Sequence, residues 1–260
     1  MQIVKIAGIN GLGKTKGCEN APVEILNALG EIGSSEKGKI IDKKLLEIEE
    51  VHISNNVEEA NELIYENAKE FFEEQNRNFF IGGDHSISYS LVRAFNDVFR
   101  DGFLIIFDAH ADCMKVGKEP SHEEWLRGII EKGFLKENIV LVGVRNIWPE
   151  EKAFLEEKKV MVVEMKQIQE NIGEVCDLLM EKARNKEALY ISIDIDVVDP
   201  AYARGTGYLE PGGLSSRELI YFLQRLVLLK NFKAADIVEI NPNKDRETAK
   251  LGAKLLAELI

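Results

Sequence analysis

Three short stretches of this chain bring histidine and aspartate together at spacings that suit a metal. They are Gly82-Gly83-Asp84-His85-Ser86, Asp108-Ala109-His110-Ala111-Asp112 and Asp194-Ile195-Asp196-Val197-Val198-Asp199-Pro200. Each follows an apolar run: Phe79–Ile81, Phe103–Phe107 and Leu189–Ile193. In extended backbone, residues i and i+2 point the same way. Asp108, His110 and Asp112 therefore project together, as do Asp194 and Asp196. A single Asp-x-Asp is often only a turn, and a single histidine is more often a satisfied side chain than a ligand. Six such groups at three strand ends differ, because clustered carboxylates repel one another and do not stay ionised in a cleft without cations. Asp108, Asp112, Asp194 and Asp196 together carry the charge that two divalent ions would neutralise. Carboxylates with two imidazoles make an oxygen-rich set that favours Mn²⁺ over zinc, with Fe²⁺, Co²⁺ and Ni²⁺ also able to occupy it. Two ions about 3.5–4 Å apart lower the pKa of water held between them, so the implied reaction class is metal-assisted hydrolysis.

The elements that must position these groups alternate along the chain. Strand candidates are Ile3–Ala7, Lys39–Ile41, Asn78–Ile81, Phe103–Phe107, Ile139–Val144, Val160–Val163, Leu189–Ile193 and Ala234–Val238. Most are continuous Ile/Val/Phe runs, as strands buried on both faces should be. Amphipathic stretches Val57–Glu74, Ile87–Phe99, Ile168–Arg184, Ser215–Leu229 and Thr248–Leu259 lie between them, and Ser215 with Glu218 has capping-box spacing. This alternation predicts a mostly parallel sheet of about eight strands covered by helices on both faces, with a closed barrel as the alternative. No linker or repeat interrupts residues 1–260, which read as one α/β domain. All three metal-type segments then fall at carboxyl ends of strands, where open α/β sheets place their ligands.

Composition narrows the function classes. Against 33 Lys and Arg stand 45 Asp and Glu, for a net charge of −12, which makes a poor surface for nucleic acid. No apolar run approaches the ~18 residues of a membrane span, and the first residues, MQIVKIAGIN, read as a strand and not as a signal peptide. Cys18, Cys113 and Cys176 are odd in number and lack Cys-x-x-Cys spacing, consistent with reduced thiols and a cytoplasmic protein.

One segment imitates a different chemistry. Gly8-Ile-Asn-Gly-Leu-Gly13-Lys14-Thr15 matches the phosphate-binding pattern GxxxxGK[ST]. That loop needs a helix starting at once on Lys-Thr, so that amide groups and the helix dipole meet the phosphate. Gly17 and Pro22 instead place the helix start near Asn20, which favours a glycine-rich connecting loop.

The motifs GGDHS, DAHAD and DIDVVDP, with Gly205–Leu214 (GTGYLEPGGL) and Asp236–Pro242 (DIVEINP), resemble the ureohydrolase family of arginases and agmatinases over nearly the whole chain. Lys16–Pro22 resembles the same family's opening loop. The resemblance implies a three-layer α/β/α sandwich and a homo-trimer or homo-hexamer. It implies two Mn²⁺ per chain, one held by His85, Asp108, Asp112 and Asp194, the other by Asp108, His110, Asp194 and Asp196. It also implies that Glu239 grips the substrate's guanidinium, that His122 shuttles protons and that the products are urea and an amine. A planar carboxylate suits a planar cation, and an imidazole suits proton transfer near neutrality. His52 matches nothing in the family.

The tail of the substrate is less determined. The loop between Asp112 and His122 is short, with Met114 where arginases carry a carboxylate-binding Asn, and Trp148 stands where they carry an aspartate. An aromatic at Trp148 with Glu123, Glu124 and Glu151 suits a cationic tail, which points to agmatine cleaved to putrescine; the same glutamates also suit solvated helix starts. Arginase or formimidoylglutamase activity, or a non-catalytic metal-binding subunit, are the alternatives, because loops and not the fold set the substrate.

Overall fold

The fold follows from which strand residues face which way. The computed structural model describes residues 1–11, 13–74, 76–134 and 136–260. Eight strands run in parallel: β1 (Gln2–Ile6), β2 (Glu47–Val51), β3 (Asn78–Gly82), β4 (Gly102–Phe107), β5 (Ile139–Val144), β6 (Met161–Glu164), β7 (Ala188–Asp194) and β8 (Phe232–Val238). Their order across the sheet is β2-β1-β3-β8-β7-β4-β5-β6. The sheet is open, which excludes the barrel.

Alternate residues of each central strand feed two separate cores. On one face Phe103, Ile105 and Phe107 pack with α1 (Ala21–Leu29), α6 (Met165–Glu170), α7 (Ile172–Ala183), α8 (Ser216–Leu226) and α9 (Arg246–Leu259). On the other, Leu104 and Ile106 pack with α2 (Val57–Glu73), α3 (Ile87–Val98), α4 (Trp125–Glu131) and α5 (Pro149–Lys158). The result is a three-layer sandwich. Connections running one way across the sheet place their helices on one face, and those running back place them on the other, as a constant crossover hand requires. Phe72 of α2 anchors the second core, packing edge-on against Phe80, Phe95, Phe99 and Tyr190 with ring centroids 5.7 to 6.4 Å apart.

Local signals mostly hold. Helix α1 starts after Asn20 with proline in its first turn, well past Thr15, so the Gly8–Thr15 loop is not the start of a helix; Leu12 of that motif lies outside the described residues. Ser215 accepts the Glu218 N–H while the Glu218 carboxylate accepts the Ser215 N–H, completing the expected box.

Two expectations are corrected. Lys39–Ile41 is not a strand: Ile40 makes only an isolated bridge to Ser34. The strand there is β2, Glu-Ile-Glu-Glu-Val, which lies at the sheet edge and so needs no apolar run. The long helix expected over Ile168–Arg184 is two helices, broken at Asn171, whose side chain caps the second by accepting the Glu174 N–H.

Candidate metal centre and active-site cavity

The sheet order explains how distant motifs meet. Strands β3, β8, β7 and β4 are adjacent in the centre, and their carboxyl ends deliver His85, Glu239, Asp194 with Asp196, and Asp108 with His110 and Asp112. Tight backbone contacts hold these ends. Gly83 donates its N–H to the Ile6 carbonyl, and a Cβ on Gly83 would lie 2.0 Å from the Gly8 carbonyl oxygen. Asp112 (φ 50°) and Glu239 (φ 63°) are two of only three non-glycine residues with positive φ among the described residues. Such backbone costs on the order of 1–3 kcal/mol and persists where the surroundings enforce it. Glu239 is pinned by its N–H to the Gly83 carbonyl at 2.9 Å.

His85 is fully buried, and its two nitrogens are distinguishable. Ser192 Oγ gives its only proton to Asp236 Oδ1 at 2.7 Å, so it accepts from His85 Nε2, 3.0 Å away. In the neutral ring Nδ1 is then an unprotonated lone pair. It faces Asp108, Asp112 and Asp194 oxygens at 3.2, 3.0 and 3.3 Å, yet hydrogen-bonds to none of them. A lone pair among three carboxylates is a repulsive arrangement that a cation would satisfy. The second histidine repeats the pattern: His110 Nδ1 lies 2.8 Å from Asp196 Oδ2, and Nε2 lies 3.2 Å from Glu210 Oε1.

Ligand atoms of His85, Asp108 and Asp194 fall in one compact group, and those of Asp108, His110 and Asp196 in a second, with Asp108 common to both. Asp194 falls only in the first of these groups. Asp112 stands beside the first, its Oδ2 accepting a 2.8 Å hydrogen bond from the Trp125 indole. The donor chemistry therefore fits hard divalent cations at two adjacent positions. Burial, reinforced by neighbouring carboxylates, pushes Asp194 well up and Asp112 up to about 7, further evidence of uncompensated negative charge.

Above this floor lies a cavity of about 290 Å³ lined by His110, Asp112, His122, Tyr208 and Glu239, with Lys14, Met114, Glu123 and Trp148 toward its mouth. Glu239 Oε1 accepts the His85 backbone N–H at 2.9 Å and stands 3.2 Å from His122 Nδ1. Glu239 Oε2 and His122 Nε2 are buried without hydrogen-bond partners. Burial pulls the His122 pKa down, but the Glu239 carboxylate beside it outweighs this and raises it to about 9.

The mouth departs from the expected acidic rim. Glu151 is only 3% exposed, and its carboxylate accepts the Cys113 and Trp148 N–H groups, both at 3.0 Å. Glu151 lines the cavity but is committed to these two backbone amides. Glu124 accepts the Ser121 N–H, and Glu123 accepts the Tyr208 hydroxyl at 2.7 Å. Trp148 is 65% exposed. His52 lies exposed just past β2. Asp84, Lys14, Tyr208, Glu210 and Trp125 also stand at the site without a residue pattern that assigns them a role there. Asp84 lies in GGDHS, and Tyr208 and Glu210 lie in GTGYLEPGGL. Lys14 was visible only in the phosphate-type motif.

A model of the Arginase family matches residues 6–260. Arginase 1, mitochondrial, of Arabidopsis thaliana is 33% identical over 219 residues, covering 82% of this chain and 60% of that protein. The chain thus spans about three fifths of the length of such curated relatives. The agmatine ureohydrolase of Thermoplasma volcanium superposes with a TM-score of 0.88 at 27% identity, covering 99% of this chain and 87% of the other. The formimidoylglutamase of Bacillus subtilis has a TM-score of 0.92 at 22% identity, covering 99% and 85%, a likeness of fold. No helix among the described residues is long and apolar enough to cross a membrane.

Proposed function

The chain belongs to the arginase family, and on that premise we propose that it is a metal-dependent amidino hydrolase that releases urea and an amine from a small linear guanidine. His85, Asp108, Asp112, Asp194, His110 and Asp196 would hold two divalent ions, Mn²⁺ by their oxygen-rich chemistry. When bound, the ions supply Lewis acidity and a water activated near neutral pH.

The protein's own groups do the rest. Glu239 Oε2, buried, unpartnered and open to the cavity, is the observation that carries this reading. A guanidinium N–H pair matches a carboxylate in shape and charge, and desolvation strengthens the contact. That grip fixes the substrate's central carbon over the aspartates. His122, protonated below about pH 9, offers Nε2–H to the departing nitrogen while its Nδ1 side stays against Glu239.

Agmatine was the substrate expected from the sequence, and the likeness to an agmatine ureohydrolase supports keeping it in any substrate panel. The glutamates invoked for its cationic tail are, however, all engaged by other groups. The proposal is tested by urea release from agmatine, arginine, guanidinobutyrate and guanidinopropionate by Mn²⁺-loaded protein. Urea from at least one is expected. Silence across the panel at full metal loading would leave formimino substrates or a non-catalytic subunit.

A further inference from the structure

The glycine-rich loop that imitates a phosphate-binding motif is fastened beside the cavity. Asp84, fully buried next to His85, accepts the Asn10 N–H at 2.7 Å and the Thr15 hydroxyl at 2.8 Å. One residue past Thr15, the Lys16 carbonyl accepts a 2.9 Å hydrogen bond from the Asn241 side chain, just beyond Glu239. Between these ties stands Lys14. A Cβ built on Gly207 would lie 3.5 Å from the Lys14 carbonyl and 3.6 Å from Glu239 Oε2, so only a glycine-thin wall separates this backbone from the guanidine-binding carboxylate.

The Lys14 ammonium lies over the Tyr208 ring, 4.4 Å from its centroid. That ring in turn lies 5.6 Å from His110 and 5.7 Å from His122, centroid to centroid. Lys14 is the only lysine or arginine among the described residues lining the cavity. No carboxylate of the described residues pairs with it. Stacking on tyrosine holds the ammonium in place without neutralising it, which leaves its charge available to a ligand.

We infer that Lys14 is a specificity-determining residue that binds an anionic tail, so that the substrate is a guanidine carrying a carboxylate at its far end. This rests on the hydrolase reading above and deepens it. The guanidinium charge is met by Glu239, the ion charges are met by the aspartates, and the mouth glutamates are engaged. Lys14 is the one lysine or arginine among the described lining residues, it has no ionic partner among them, and a carboxylate is its complement.

The test compares agmatine with 4-guanidinobutyrate, which differ chiefly in an amine or a carboxylate at the end of a similar chain. Urea release and calorimetric affinity are measured on the full, metal-loaded chain, native and as Lys14→Met and Lys14→Arg. The native protein should prefer guanidinobutyrate. Lys14→Met should cut the guanidinobutyrate-to-agmatine ratio about tenfold, through KM more than kcat, while Lys14→Arg should retain most of it. Lys14 is exposed, so neither variant threatens folding. A native preference for agmatine, or a ratio that Lys14→Met does not move, overturns the inference. Absence of urea from both substrates passes the hydrolase reading to arginine and guanidinopropionate, and silence on those as well contradicts it. The affinity ratio then judges Lys14 by itself: loss in Lys14→Met supports it and no change rejects it.

Discussion

The floor and the mouth of one cavity are built on opposite plans. The floor hangs from four adjacent parallel strands, and its key carboxylates and His85 are buried and braced from behind. Ser192 and Asp236 hold His85, and Trp125 holds Asp112. The mouth is made of loop residues: Lys14 on a glycine-rich loop, Glu123 after a short connection, and Trp148 largely in solvent. A rigid floor suits chemistry that demands fixed geometry, whereas loops can vary without disturbing it. Reaction and substrate are therefore separable in this molecule, and mutations should separate them.

The largest effect should come from Asp108→Ala, which removes the one residue common to both ligand groups. Loss of activity on the order of a thousandfold or more, with weaker metal uptake at both positions, is expected by assay and calorimetry. Next stands His122→Asn. A proton donor contributes on the order of a hundredfold or more, so kcat should fall by that amount with metal content intact. In the native protein, activity should decline as pH rises through about 9, where His122 loses its proton, and the variant should lose that alkaline limb. Ser192→Ala should cost about tenfold in metal affinity, because it frees His85 to turn without removing any ligand. Trp148→Ala, at the exposed rim, should change kcat/KM for any substrate by less than about threefold. An equally large effect from the rim and the floor would erase the distinction.

Metal removal should expose the floor's charge. Burial raises Asp112 to about 7 and Asp84 to about 6, so the folded metal-free state binds more protons than the unfolded chain between about pH 4 and 7. Stability of the chelated protein should therefore fall as pH rises across that window, and melting curves check the sign. Saturating metal, at about a hundred times Kd, should add about 2.7 kcal/mol for each ion bound.

How much of this was legible in the sequence follows the same division. Strands buried on both faces announced themselves as apolar runs, and the Asp and His pairs at their ends could be read as ligands from a period of two. The edge strand β2 was hidden because an edge needs no such run, and its glutamates resembled a loop. The Asn171 break escaped because the apolar spacing continues across it. At the mouth, side-chain commitments are set by contacts distant in sequence. Nothing in the local text says that Glu151 is occupied by the Cys113 amide, or that Lys14 stacks on Tyr208. The strained backbone at Asp112 and Glu239 was equally invisible, since neither is glycine.

If the four strand ends form a two-ion floor that hydrolyses a guanidine held by Glu239, urea release must depend on both ions. This is measured by following urea release against added Mn²⁺ equivalents in metal-free protein, with the substrate that proves best in the panel. Activity should climb to a plateau near two equivalents per chain, one for each ligand group. A plateau at one equivalent, or full loading without urea, would contradict it.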